Sequence, residues 1–90
     1  MNPFDEQLRE LIPRLRRFAV SLTRNASSAD DLVQATLERA ITRWADKRIE
    51  GDLRAWLFSI LYRQFLDAHR RQRRYARMLE FFTGRDDREP

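Results

Sequence analysis

The sequence has no cysteine, one histidine and two glycines among its 90 residues. Without cysteine, neither a disulfide framework nor a thiolate-bound zinc site is available. The single histidine, His69, and the lack of a glycine-rich phosphate loop leave no residue pattern typical of catalysis. We therefore expect a protein that is not an enzyme and needs no cofactor or metal.

Long hydrophobic runs are lacking as well. No apolar stretch approaches the roughly 20 residues that a membrane-spanning helix requires. The first ten residues, MNPFDEQLRE, are polar and acidic and do not resemble a signal peptide. The sequence thus predicts a cytoplasmic protein of one small domain with a modest core.

Lysine is almost missing, and arginine supplies the positive charge. Of 18 basic residues, only Lys47 is not arginine. Residues 62–77 hold six arginines against the single acid Asp67, a net charge of +5. Arginine suits bidentate contacts with phosphates and base edges. The simpler explanation is a helix end whose cations favour its dipole. Five arginines within residues 70–77 exceed that need and indicate a surface for nucleic acid.

Apolar residues spaced three and four apart predict two helices before residue 47. The first extends from Phe4 to about Arg24, and Pro13 inside it would kink it or split it in two. The second begins at a capping serine, Ser27 or Ser28, and fades near Asp46. In this prediction Asp30 and Asp31 add negative charge to its first turn.

A third helix is predicted from Leu53, after a capping Asp52, to about Phe81. Among its apolar residues we expect Leu57, Ile60 and Leu61 to be buried, together with Trp44 of the second helix. Trp56 fits the core and a DNA contact about equally, and Tyr62 is more consistent with a DNA contact. We expect Phe81 and Phe82 to be a hydrophobic anchor or a contact for a following segment. A polar tail is expected after them, over residues 83–90.

The second helix has a polar face. Asp31, Gln34, Ala35 and Glu38 follow i, i+3, i+4, i+7 spacing and share one side. Such a face is usually only solvated, and a role in partner binding needs further support.

That support comes from a resemblance in two segments. ADDLVQATLERAITRW (residues 29–44) and LRAWLFSILYRQFLDAHRRQRR (residues 53–74) resemble conserved region 2 of bacterial RNA polymerase sigma factors, most closely the extracytoplasmic-function (ECF) group. The order and spacing of both motifs make the match specific over about residues 4–78. It implies an all-α, compact bundle of three long helices, or four if Pro13 splits the first. The domain would cover residues 1–78, and residues 79–90 would be a tail or the start of a linker to an absent second domain.

The resemblance implies that the second helix docks on the clamp-helix coiled coil of core RNA polymerase. The matching residues are Asp31, Leu32 and Gln34, with Glu38 nearby. Ala35 stands where the family usually has glutamate, so docking is expected to be weaker or to use neighbouring residues.

The resemblance also implies that the third helix recognises and opens the minus-ten promoter element, on the non-template strand. Trp56 matches an aromatic used in strand opening, and Ser59 stands where housekeeping members carry a tryptophan. The loop of residues 47–52 resembles one that captures a flipped base of that strand. Stacking and contacts with the base edge offset the free energy lost when the base leaves the duplex. The predicted DNA contacts are Lys47, Arg48, Trp56, Ser59, Tyr62, Arg63, Asp67, Arg70, Arg71, Arg73 and Arg74.

An anti-sigma factor is a further expected partner, and membrane insertion is not expected. Three alternatives stay open. The first is a general helical nucleic-acid binder that has no polymerase partner. The second is a regulator that mimics a sigma factor and binds core polymerase as a protein–protein module. The third is a membrane-surface helix over residues 53–77.

Overall fold

A computed structural model describes residues 3–46 and 52–87, and within these ranges the chain forms three helices and no strand. They are α1 (Pro3–Thr23), α2 (Ala26–Asp46) and α3 (Leu53–Asp87). Each helix packs against the other two. The prediction of an all-α bundle is confirmed.

Pro13 does not split α1, which is one helix from Pro3 to Thr23. A proline cannot donate a hydrogen bond to the carbonyl four residues earlier, here that of Arg9. Both residues are exposed, so water can satisfy the freed carbonyl at little cost. Over the described residues, the bundle therefore has three helices, and the alternative of four is wrong.

The turn between α1 and α2 places the cap on Asn25. Arg24 has a positive φ of 57°, and its amide donates to the carbonyl of Val20 at 2.7 Å. The Oδ1 of Asn25 then accepts a hydrogen bond from the amide of Ser28 at 2.8 Å, which is the geometry of an N-cap. The prediction that Ser27 or Ser28 caps α2 is wrong.

Because α2 begins at Ala26, its first turn contains no acidic residue, contrary to the prediction for Asp30 and Asp31. Asp30 instead joins two helices: its Oδ1 accepts a hydrogen bond from the Nε of Arg16 on α1 at 2.8 Å. Both side chains are about half exposed, so this ion pair contributes at most about 1 kcal/mol.

Replacing Asn25 with alanine is expected to lower the free energy of unfolding by about 1 kcal/mol, because the amide of Ser28 loses its acceptor. Urea denaturation would measure the loss. Ser27→Ala is the control, since Ser27 is exposed and should change stability by less than about 0.5 kcal/mol. A larger loss for Ser27→Ala than for Asn25→Ala would contradict this placement of the cap.

The core lies between the three helices. Its buried apolar residues are Leu8, Leu15, Ala19, Ala29, Leu32, Val33, Ala40, Leu57, Ile60 and Leu61. The predicted burial of Leu57, Ile60 and Leu61 is confirmed. Trp44 is only partly buried, because it lies two residues from the end of α2. The buried hydroxyl of Thr36 donates to the carbonyl of Leu32 at 2.8 Å, so it is satisfied within its own helix.

The third helix does not end near Phe81 but continues to Asp87. Residues 62–87 contain no proline and one glycine, and arginine, methionine and leucine are good helix formers. Its 35 residues span about 52 Å, against about 31 Å for each 21-residue helix. The last turns consequently extend past the bundle, and the rings of Phe81 and Phe82 are exposed. The domain boundary predicted at residue 78 falls within this helix and stays a prediction.

Candidate nucleic-acid interface

A cleft between α2 and α3 brings together four of the residues predicted to contact DNA. Trp56, Ser59, Arg63 and Asp67 are spaced three, four and four residues apart, which places them on one face of α3. This face and the C-terminal half of α2 enclose a volume of about 220 Å³. The lining residues are Arg39, Arg43, Trp56, Ser59, Ile60, Arg63, Gln64 and Asp67.

The cleft is positively charged. Asp67 forms an ion pair with Arg70, with 3.8 Å between Nη1 and Oδ1, and both side chains are largely exposed. Within the described ranges, no carboxylate lies in ion-pair distance of Arg39, Arg43 or Arg63. An anionic ligand would therefore be attracted to this cleft.

Two of these arginines, Arg39 and Arg43, were missed as DNA contacts by the sequence reasoning. The available signal was their i, i+4 spacing on α2, since like charges at that spacing repel each other and a helix gains nothing from them.

The arginines after the cleft continue along the same face of α3. Arg70 and Arg74 follow Arg63 by seven and eleven residues, close to whole helical turns, and Arg71 and Arg73 flank them. All four side chains are exposed. Together they form a basic strip, Arg70, Arg71, Arg73 and Arg74, that leads away from the cleft.

Tyr62 is not among the residues that line the cleft, because it lies about 100° around α3 from Arg63. The residue is 47% exposed, and its ring belongs to a row of rings along α3. The ring centroids are 6.4 Å apart for Tyr62 and Phe65, and 6.1 Å apart for Phe65 and His69. Such a row offers stacking surfaces to bases. The predicted contacts Lys47 and Arg48 fall outside the described residues.

The polar face of α2 exposes three of the four residues predicted to bind polymerase. Asp31, Gln34 and Glu38 are exposed, and the Nε2 of Gln34 donates to the Oε2 of Glu38 at 3.4 Å. Leu32 differs, since only 8% of it is accessible. It belongs to the core, and in this structure it orients the face without presenting a side chain to a partner.

The two faces adjoin along the groove between α2 and α3. Toward the start of α2, this groove widens to a volume of about 650 Å³ lined in part by Asp31, Ala35 and Arg71. Gln64 lines both this wider part and the cleft. A partner on the polar face of α2 and a strand in the cleft would thus lie next to each other.

None of the helices within residues 3–46 and 52–87 combines the length and apolarity needed to cross a membrane.

The arrangement defines a small helical domain with a basic cleft, and comparison with known proteins gives its family. Residues 8–62 match the family model described as the sigma2 domain of PhyR. The chain is 43% identical over 76 residues to the ECF RNA polymerase sigma factor EcfG of Rhodopseudomonas palustris, covering 80% of this chain and 42% of that protein. It is 40% identical over 63 residues to the ECF RNA polymerase sigma factor SigL of Mycobacterium tuberculosis, covering 66% of this chain and 34% of that protein.

A solved structure agrees with these sequence matches. The sigma factor RpoE of Bartonella quintana, crystallised with the anti-sigma factor NepR, superposes with a TM-score of 0.78 at 35% identity. The match covers 86% of this chain and 48% of that chain. The protein belongs to the sigma region 2 family and is a region 2 domain of the ECF type. It spans less than half the length of these relatives.

Proposed function

We propose that this domain binds core RNA polymerase and the minus-ten promoter element, and helps to open that element in transcription initiation. The observation that carries the proposal is the α2–α3 groove. It joins a basic cleft holding Trp56, Ser59, Arg63 and Asp67 to the exposed polar face of α2. The domain supplies binding energy, and nucleotide addition belongs to the polymerase.

The DNA half of the proposal depends on the cleft and the basic strip. Opening a duplex is favoured when unpaired bases find aromatic faces, each worth roughly 1–3 kcal/mol. Trp56 is partly buried at the cleft, so its position is fixed by the core while part of the ring stays accessible. Arg63 and the strip beyond it hold the non-template strand by its phosphates. We also propose that the loop at residues 47–52 captures a flipped base of the non-template strand.

The polymerase half depends on Asp31, Gln34 and Glu38. They present acidic and amide groups on one exposed side of a 21-residue helix, a rigid surface suited to packing against the clamp-helix coiled coil. Ala35 is half-buried between them and the groove. The missing carboxylate at this position leaves Asp31 and Glu38 as the charged contacts of the face.

We also propose an anti-sigma factor as a partner. The Bartonella quintana relative was crystallised with the anti-sigma factor NepR. A protein covering the groove between α2 and α3 would block the polymerase face and the cleft at once, because they adjoin at Gln64. These roles would place the protein in the cytoplasm, where the polymerase and the chromosome are.

Replacing Asp31 and Gln34 together with alanine is expected to weaken binding to core RNA polymerase by about tenfold or more, since the charged contact alone is worth about 1.5–3 kcal/mol. Fluorescence anisotropy of the labelled chain, titrated with core enzyme, would measure it.

The matched control is Gln7→Ala/Glu10→Ala on α1, which removes the same kinds of group at the same spacing from an exposed face. It should bind core enzyme like the wild type. If the wild type does not bind core enzyme but binds single-stranded DNA in a salt-sensitive way, the protein is a general nucleic-acid binder and the polymerase half is wrong.

A further inference from the structure

The polar side of α2 carries two arginines one helical turn apart, near the end of the helix. Arg39 and Arg43 are both exposed, and both line the cleft opposite α3. Like charges at i, i+4 destabilise a helix by a few tenths of a kcal/mol. Nothing in the packing of α2 explains why both positions hold arginine.

Arg63 of α3 lines the same cleft and adds a third guanidinium. The acidic residue among those lining the cleft, Asp67, is paired with Arg70. Glu38 lines a neighbouring recess with Arg39 and Arg43, but its described hydrogen bond is with Gln34. Three exposed arginines therefore meet at one cleft without a carboxylate partner in the described structure, and such a concentration of like charge is expected where an anionic ligand binds.

We propose that Arg39 and Arg43 each bind a backbone phosphate of the DNA strand, so that α2 forms the second wall of the DNA site. This inference rests on the proposed function and adds residues that the family resemblance did not supply. The planar guanidinium donates two parallel hydrogen bonds to a phosphodiester. Because Arg39 and Arg43 are one helical turn apart on α2, their two guanidinium groups can bind phosphates of the same strand. Trp56 on the opposite wall is then turned toward the bases.

One consequence is that α2 bridges the two partners. Its first half presents Asp31 and Gln34 to the polymerase, and its second half presents Arg39 and Arg43 to DNA. Since a helix is rigid, the position of the strand relative to the polymerase is then set by one element. The charge of this side of α2 changes from acidic at Asp31 to basic at Arg39 and Arg43. The polymerase therefore binds near the start of the helix, and the phosphates bind near its end.

The test compares Arg39→Gln/Arg43→Gln with Arg9→Gln/Arg17→Gln, a control that removes the same charge from exposed positions on α1. Glutamine has nearly the helix propensity of arginine, and circular dichroism melting would verify that both variants fold. Affinity for a fluorescent single-stranded DNA oligonucleotide is measured by anisotropy at several salt concentrations.

For the cleft variant we expect affinity to fall by about tenfold or more, because charge-assisted hydrogen bonds are lost. The slope of log affinity against log salt should become shallower by about 1.4, at about 0.7 for each phosphate contact with a single strand. The control variant should keep the slope of the wild type. Equal slopes for the two variants, or a wild type that shows no salt-dependent binding, would overturn the inference.

Binding to core RNA polymerase separates this inference from the function on which it rests. The cleft variant should bind core enzyme like the wild type, because Asp31 and Gln34 are unchanged. A loss of core binding equal to the loss of DNA binding would mean that Arg39 and Arg43 belong to the polymerase face, and would also overturn the inference. Failure of the wild type to bind core enzyme, with the DNA results as expected, would reject only the polymerase half of the proposed function.

Discussion

Replacing Leu61 with alanine is expected to lower the free energy of unfolding by about 2–5 kcal/mol. Leu61 is fully buried in α3, where the three helices meet, and its removal leaves a cavity that neighbouring helices cannot close. A domain of this size has a total stability of about 5–15 kcal/mol, so the loss is a large fraction of the whole. Urea denaturation followed by circular dichroism would measure it.

Leu79→Ala is the matched control for this prediction. It makes the same substitution on the same helix, but Leu79 is 44% exposed and lies on the turns that extend past α1 and α2. Its expected effect is below about 1 kcal/mol, because little of the side chain leaves an apolar environment. Equal losses for Leu61→Ala and Leu79→Ala would contradict the core described above, and would mean that the end of α3 is covered in solution.

Burial of Leu61 also bears on the DNA site. Its neighbours in sequence, Tyr62 and Arg63, point away from the core, and successive helical residues differ by about 100° in direction. The core contacts of Leu57, Ile60 and Leu61 therefore fix the rotation of α3 about its axis. That rotation decides which side chains face the cleft, so we expect Leu61→Ala to weaken DNA binding even where the variant is still folded.

The helices and most of the core follow from spacing in the sequence. Leu57, Ile60 and Leu61 recur at helical intervals, and Asp52 before them was correctly predicted as the cap, since its Oδ1 accepts from the amide of Arg54 at 3.0 Å. The family could be predicted because two separated motifs agree in order and spacing. The face shared by Trp56 and Arg63 is likewise a matter of helical periodicity.

What the sequence could not determine depends on local competition and on contacts between helices. Asn25 and the serines after it are all good caps, and only the left-handed conformation of Arg24 selects Asn25. Whether Pro13 splits α1 depends on which side of the helix faces water, and Pro13 and Arg9 lie on the exposed side. Arg39 and Arg43 join the cleft through the packing of α2 on α3. Their i, i+4 spacing indicates that they share a face of α2, but it does not reveal which helix that face meets.

Replacing the basic strip, Arg70, Arg71, Arg73 and Arg74, with glutamine is expected to reduce the salt dependence of single-stranded DNA binding strongly. The slope of log affinity against log salt should become shallower by about 2.8 if each arginine neutralises one phosphate, at about 0.7 each. All four side chains are exposed. Arg70 and Arg74 continue the face of α3 that carries Arg63, and Arg71 and Arg73 flank that face. The only described ion pair among them, Arg70 with Asp67 at 3.8 Å, is exposed and contributes little to stability.

The same four positions changed to lysine separate charge from geometry. Lysine keeps the positive charge and nearly the same helix propensity but lacks the planar fork that binds a phosphate or base edge by two hydrogen bonds. If the strip follows the strand by its phosphates, the lysine variant should keep the slope of the wild type and most of its affinity. If affinity falls in the lysine variant while the slope is kept, the arginines bind by bidentate geometry in addition to charge. A glutamine variant with the slope of the wild type would show that the strip does not contact DNA, and would confine the interface to the cleft between α2 and α3.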